Sequence, residues 1–161
     1  MTNDSAALWL HQAIVRPEWV DYNNHLSEAF YVLIFGDATD AFYDHIGLDD
    51  LFRRANAMSV YTLEGHIRYL REAKLGQELR IATRVTTASA KKLRLHHTMQ
   101  ATDEKTIFAV SEISALCVGT NPVVGAQNFP ETASAKIQAY QLSHQNSAPP
   151  LPAMSPHWLG G

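Results

Sequence analysis

Cysteine is nearly absent from this chain: Cys117 is the only one in 161 residues. An internal disulfide is therefore excluded, and a reducing compartment fits. Cys117 lies in an apolar run, Ile113 to Val118, which marks a core thiol rather than a nucleophile. Long hydrophobic runs are missing as well. No stretch approaches the ~18 apolar residues that a membrane span needs. The opening residues, Met1-Thr-Asn-Asp-Ser, carry neither a basic segment nor an apolar core. That argues against secretion and for the cytoplasm. Basic runs are equally scarce. A net charge of −3 and a pI near 6.2 offer nucleic acid no surface, and Lys91-Lys92-Leu93-Arg94 is the one short basic cluster. Asp37, Asp40 and Asp44 share one helix face, but no His or Cys joins them at ligand spacing, so no metal is expected. Internal repeats are absent.

What is present is a patterned globular chain with 46% hydrophobic residues, long enough to bury a core as one domain. A short strand is expected over 9–16, closed by Pro17. Phe30, Ile34, Ala38, Ala41, Phe42 and Ile46 recur at helical spacing, which predicts a long helix from Glu28 to Ile46. Gly47 stands where a left-handed residue ends a helix. Gly36, mid-helix, implies close approach of a sheet to that face. A helical turn over 49–55 follows. Strands are expected over 58–70, with a bulge at Gly65, and over 79–85, 91–101 and 106–118. In the 79–85 strand, Leu79, Ile81, Thr83 and Val85 alternate with residues of an expected wet face. A last helix is expected over 131–142. The domain is placed at 1–145, and residues 146–161, which hold four of the seven prolines, read as a tail. The order predicts an α+β fold in which a curved antiparallel sheet wraps one long central helix.

The richest stretch is Arg16-Pro-Glu-Trp-Val-Asp-Tyr-Asn-Asn-His-Leu-Ser-Glu-Ala-Phe-Tyr31. A polar turn there runs straight into the apolar helix, with Ser27 as its N-cap. Asp21 is the acid in the middle of that turn. A helix start offers unpaired N–H groups that polarise a carbonyl, and an adjacent acid supplies a base or a nucleophile. That combination points to acyl-ester chemistry. Asn23 and His25 are placed to orient Asp21 or a water, or to serve the turn itself.

The segment resembles the hotdog-fold acyl-CoA thioesterases of the 4-hydroxybenzoyl-CoA type. Their pattern is an aspartate, then Gly-His three residues on, then a tyrosine inside the helix. Here it falls on Asp21, Asn24-His25 and Tyr31. Asn24 replaces the glycine and tolerates left-handed backbone angles better than most residues. A tighter resemblance, to the betainyl-CoA thioesterases of carnitine breakdown, runs through 15–25, 36–41, 59–64 and 66–72.

The resemblance implies an acyl-CoA thioesterase that needs no cofactor, CoA being part of the substrate. It also implies a homodimer or a dimer of dimers. The expected catalytic set is Asp21, as general base or nucleophile, the backbone N–H of Glu28, His25 and Asn23. A trimethylammonium acyl group calls for aromatic faces and a carboxylate. Trp19, Tyr22, Tyr31, Tyr61 and Glu64 are the candidates for that pocket. Arg68, Lys74, Lys91, Lys92 and Arg94 are the candidates for the CoA phosphates. Two alternatives remain at this point. One is a hotdog enoyl-CoA hydratase or dehydratase, whose Asp-x-Asn-Pro-x-His pattern is here one residue short and lacks its proline. The other is a non-catalytic acyl-CoA-binding regulator, for which no DNA-binding segment is visible.

Overall fold

A computed structural model describes residues 6–103 and 105–147. The expected tail therefore lies, from residue 148 on, outside the described residues. Among these residues the elements are β1 (Leu8–Ile14), α1 (Glu28–His45), α2 (Asp50–Ala55), β2 (Met58–Tyr69), β3 (Glu78–Ala88), β4 (Lys92–Ala101), β5 (Ile107–Gly119), β6 (Gly125–Ala126) and α3 (Glu131–Gln145). The strands form one antiparallel sheet in the order β1-β3-β4-β5-β2, so β1 and β2 are its edges. β6 was not anticipated. It pairs with Val118 and Gly119, past the point where β4 stops following β5. The bulge in β2 falls between Thr62 and Glu64, ahead of the glycine that suggested it.

α1 packs its apolar stripe against the inner face of the sheet. Its first half buries Tyr31, Ile34, Phe35 and Ala38 against Leu79, Ile81, Met99 and Ala109. Its second half buries Phe42, Tyr43 and Ile46 with Val85, Leu93, Leu95 and Cys117. Each fully buried side chain of this kind contributes roughly 1.5–3 kcal/mol. The helix ends as the sequence implied. Gly47 has φ +87°, its N–H reaches the Asp44 carbonyl (3.0 Å), and the Leu48 N–H reaches the Tyr43 carbonyl (2.8 Å). These two bonds satisfy orphan carbonyls of the last turn. Gly36 has a different explanation from the one expected. It lies on the exposed side of α1, and a Cβ there would meet nothing within 4 Å.

The outer face of the sheet is not uniformly wet. Ala82, Arg84, His96 and Thr98 are buried there, so the alternation in β3 marks its helix-facing side without marking the other side as solvent. α3 runs one turn further than periodicity indicated, and His144 gives the reason. Its Nδ1 accepts the Val85 N–H (2.8 Å), so Nε2 carries the proton and donates to the Ala6 carbonyl (2.6 Å).

At the centre of the molecule His97 is fully buried between α1 and the sheet. Its Nε2 lies 3.0 Å from the Thr39 hydroxyl and its Nδ1 lies 2.9 Å from the Thr83 hydroxyl. Thr39 gives its one hydroxyl proton to the Phe35 carbonyl (2.9 Å). It must therefore accept from His97, which fixes the Nε2–H tautomer and leaves Nδ1 to take the Thr83 proton. Burial, with smaller contributions from His96 and His11, pushes the His97 pKa down to about 3.

Candidate active site

The loop before α1 is a miniature hairpin. Val20 pairs with Leu26, and the Asp21 N–H donates to the His25 carbonyl (2.9 Å). Its reversal needs a left-handed residue, and Asn24, at φ +59°, supplies it. A second set of bonds fastens the hairpin to the segment after β2. The Leu26 N–H reaches the Ala73 carbonyl (2.7 Å) and the Leu75 N–H reaches the Asn24 carbonyl (3.2 Å).

Inside this hairpin one Asp21 carboxylate oxygen, Oδ1, accepts the Asn23 N–H at 2.8 Å and the His25 N–H at 3.3 Å. Asn23 and His25 therefore do orient Asp21, but through their backbones. The His25 side chain turns elsewhere: its Nδ1 is 3.5 Å from Oε2 of Glu72. Ser27 occupies the N-cap position without a side-chain capping bond, so the cap hydroxyl does not consume the first-turn N–H groups of α1.

A cleft of about 390 Å³ lies between the start of α1 and the end of β2. His25, Leu26, Glu28 and Tyr31 line one side of it, and Tyr69 to Glu72 line the other. Tyr31 ties the two sides together. Its hydroxyl donates to the Arg71 carbonyl and accepts the Ala73 N–H, both at 3.3 Å, and its ring meets Tyr69 edge-on at 5.1 Å. Burial pushes the Tyr31 phenol up; the Ala73 N–H opposes the shift and the Glu72 charge adds to it. Burial also raises Tyr69, with Glu28 the next contributor.

Several residues expected at the acyl pocket do not line this cleft. Trp19 is buried in the core, stacked on Phe30 at 5.8 Å with the Arg16 guanidinium 4.8 Å from its ring centroid. Pro17–Trp19 form a short 3-10 turn that drives it inward. Tyr22 is 95% exposed at the hairpin tip. Tyr61 and Glu64 are exposed on the edge strand β2. Glu64 and Tyr69 are five positions apart, which is ~17 Å along a strand. Glu64 pairs with His66 (3.2 Å) and lines a second cleft with Lys92 and Arg94.

The expected basic group is likewise divided. Lys92 and Arg94 share that second cleft and Lys91 precedes them, but Arg94 is engaged by Glu112 (3.4 Å) and Ser114 (3.2 Å). Arg68 sits opposite Val110 in the sheet. Of this group, Lys74 alone stands beside the Asp21 hairpin, bridged to His25 through the backbone. Sequence reasoning did not bring Tyr69 and Glu72 to the site. Their signal was the stretch 66–72, which carries the resemblance and is read there only for its basic side chains.

A carboxylate held on the hairpin that leads into α1, and a cleft at the start of that helix, fit attack on an activated carbonyl. The sequence pattern of the Thioesterase-like superfamily matches residues 15–159. The chain belongs to that superfamily. It is a thioester hydrolase of the hotdog fold. A betainyl-CoA thioesterase of Pseudomonas aeruginosa is 36% identical over 92% of this chain and 91% of its own length. An L-carnitine dehydrogenase/betainyl-CoA thioesterase of Agrobacterium fabrum is 47% identical over 70% of this chain, which spans 23% of that longer protein. A hypothetical protein of Staphylococcus aureus, solved in complex with CoA, is 28% identical with a TM-score of 0.78, covering 96% of this chain and 94% of that one. Among the described residues of this thioesterase, no helix is long and apolar enough to cross a membrane.

Proposed function

We propose that this thioesterase hydrolyses betainyl-CoA to glycine betaine and CoA. The observation that carries the chemistry is Asp21, held by two backbone N–H groups in the hairpin that leads into α1. The thioester carbonyl is polarised by the Glu28 N–H at the start of the helix. Asp21 either takes a proton from the attacking water or attacks the carbonyl itself to form a mixed anhydride that water then opens. In both routes the C–S bond breaks, CoA leaves as the thiol, and one water is consumed. The step uses a carboxylate, N–H groups and water, and calls for no cofactor. Lys74, beside the hairpin, is the best-placed candidate for a CoA phosphate. The lone buried thiol and the acyl-CoA substrate both suit the cytoplasm.

The acyl group is supported by the betainyl-CoA thioesterases of similar sequence. Assay against betainyl-, acetyl-, propionyl- and longer straight-chain acyl-CoAs tests it. The expected result is kcat/KM for betainyl-CoA well above the others, and comparable rates across the panel would reject this acyl group. The hydratase reading loses its geometry, because the His25 imidazole faces Glu72 while Asp21 is held by backbone.

The working unit is a homodimer or a dimer of dimers. β2 is a twelve-residue edge strand, paired on one side by β5, with Tyr61, Leu63 and Tyr69 exposed along it. An edge this long invites another strand. Sedimentation is expected to give at least twice the 17.9 kDa chain mass. A stable and fully active monomer would overturn the assembly.

A further inference from the structure

We propose that Tyr69 and the carboxylates of Glu72 and Glu28 form the subsite that selects a quaternary ammonium on the acyl group. The proposal rests on the betainyl-CoA reading above and assigns it to residues.

The length of the acyl group decides the location. In betaine a single CH₂ separates the nitrogen from the carbonyl carbon, so the two lie ~2.5 Å apart. A carbonyl oxygen bound at ~3 Å by the Glu28 N–H thus keeps the cation within ~6 Å of the helix start. Glu64 and Tyr61, in mid-strand and beside the second cleft, are out of reach within the same chain. The helix start also carries partial positive charge, which opposes a cation. A site there needs compensating negative charge and ring faces, since a trimethylammonium donates no hydrogen bond.

The cleft supplies both. Glu28 and Glu72 stand on its opposite sides, and Arg71 is the guanidinium that lines it with them. Oε2 of Glu72 is placed 3.5 Å from His25. Tyr69 packs edge-on against Tyr31 and remains 46% exposed, so ring surface is available to a ligand. Tyr31 is buried and spends its hydroxyl on Arg71 and Ala73, which makes it the wall behind the subsite.

The test compares betainyl-CoA with 3,3-dimethylbutyryl-CoA, the neutral analogue with carbon in place of nitrogen. The wild type is expected to prefer the cation by about ten- to hundredfold in kcat/KM. Glu72→Gln alters an exposed side chain, and Tyr69→Leu removes the half-exposed ring while keeping an apolar side chain against Tyr31. Each is expected to cut that preference several-fold while hydrolysis of the neutral analogue persists. Glu64→Gln should leave the preference unchanged. A wild type that hydrolyses betainyl-CoA but keeps its preference in both variants overturns the subsite alone. So does a wild type that treats the two substrates alike. A wild type that hydrolyses the neutral analogue but not betainyl-CoA overturns the substrate reading, and the subsite with it.

Discussion

Asp21→Asn is expected to lower kcat by at least ~10²-fold with a smaller change in KM, because it removes the base or nucleophile and leaves most binding contacts in place. The substitution preserves shape, and the amide oxygen can still accept the Asn23 and His25 N–H groups that hold the carboxylate. The hairpin should therefore survive, and an unchanged far-ultraviolet spectrum would show that lost rate is lost chemistry. Asp37→Asn is the matched control. Asp37 lies 4.0 Å from His11 on the body of α1, away from the hairpin, and its removal should do far less. Turnover near the wild-type level in Asp21→Asn would sink the mechanism. A single turnover in ¹⁸O-water separates the two routes. A nucleophilic Asp21 passes its own unlabelled oxygen to the first product, whereas a general base gives labelled product at once.

Acid is expected to destabilise the protein through His97. Its pKa in the fold is about 3, against the ordinary value of 6.5. The folded state therefore keeps His97 neutral in a range where the unfolded chain binds a proton. Stability is fully present above pH 6.5 and declines as the pH falls toward 3, at somewhat over ~1 kcal/mol per pH unit. The direction follows from the geometry. A second ring proton would sit on Nδ1, the atom that accepts the Thr83 hydroxyl, and its charge would be fully buried. Urea unfolding from pH 7 to pH 4 measures the slope. His97→Gln can bridge Thr39 and Thr83 but does not titrate. It should be less stable at pH 7 and lose stability more slowly on acidification. Parallel slopes for the two proteins would show that other groups control the acid transition. The Gln variant also checks whether this bridge carries turnover, which it is expected to leave within a few-fold of wild type because His97 lies in the core away from the cleft.

Local signals carried much of this architecture. Helical spacing from Phe30 onward, the stop at Gly47 and the alternation in β3 and β4 are properties of neighbours in the chain. They placed every helix and every strand except β6, whose two residues have no period of their own and exist because β5 offers a free edge. The Asp21 loop was legible for the same reason. An acid, a residue tolerant of left-handed angles and an N-cap lie within seven positions, and together they specify a turn into a helix.

The side chains around the reacting group were legible only in part. Trp19, Tyr22, Tyr61 and Glu64 have the right chemistry and lie near the motif in sequence, yet Trp19 went to the core, Tyr22 to solvent, and Tyr61 and Glu64 to the middle of an edge strand. Tyr69 and Glu72, 48 and 51 positions after Asp21, were passed over. They meet the helix start because β2 is antiparallel to β5 and its far end returns to the hairpin, where the Ala73 carbonyl binds the Leu26 N–H. The sequence alone determined the fold class, the candidate acid and the helix start it leads into, since each depends on residues a few positions apart. The tertiary structure decided which side chains line the cleft at that helix start. That depends on which strand end the sheet returns to the helix, and strand pairing is a long-range choice that no local periodicity records.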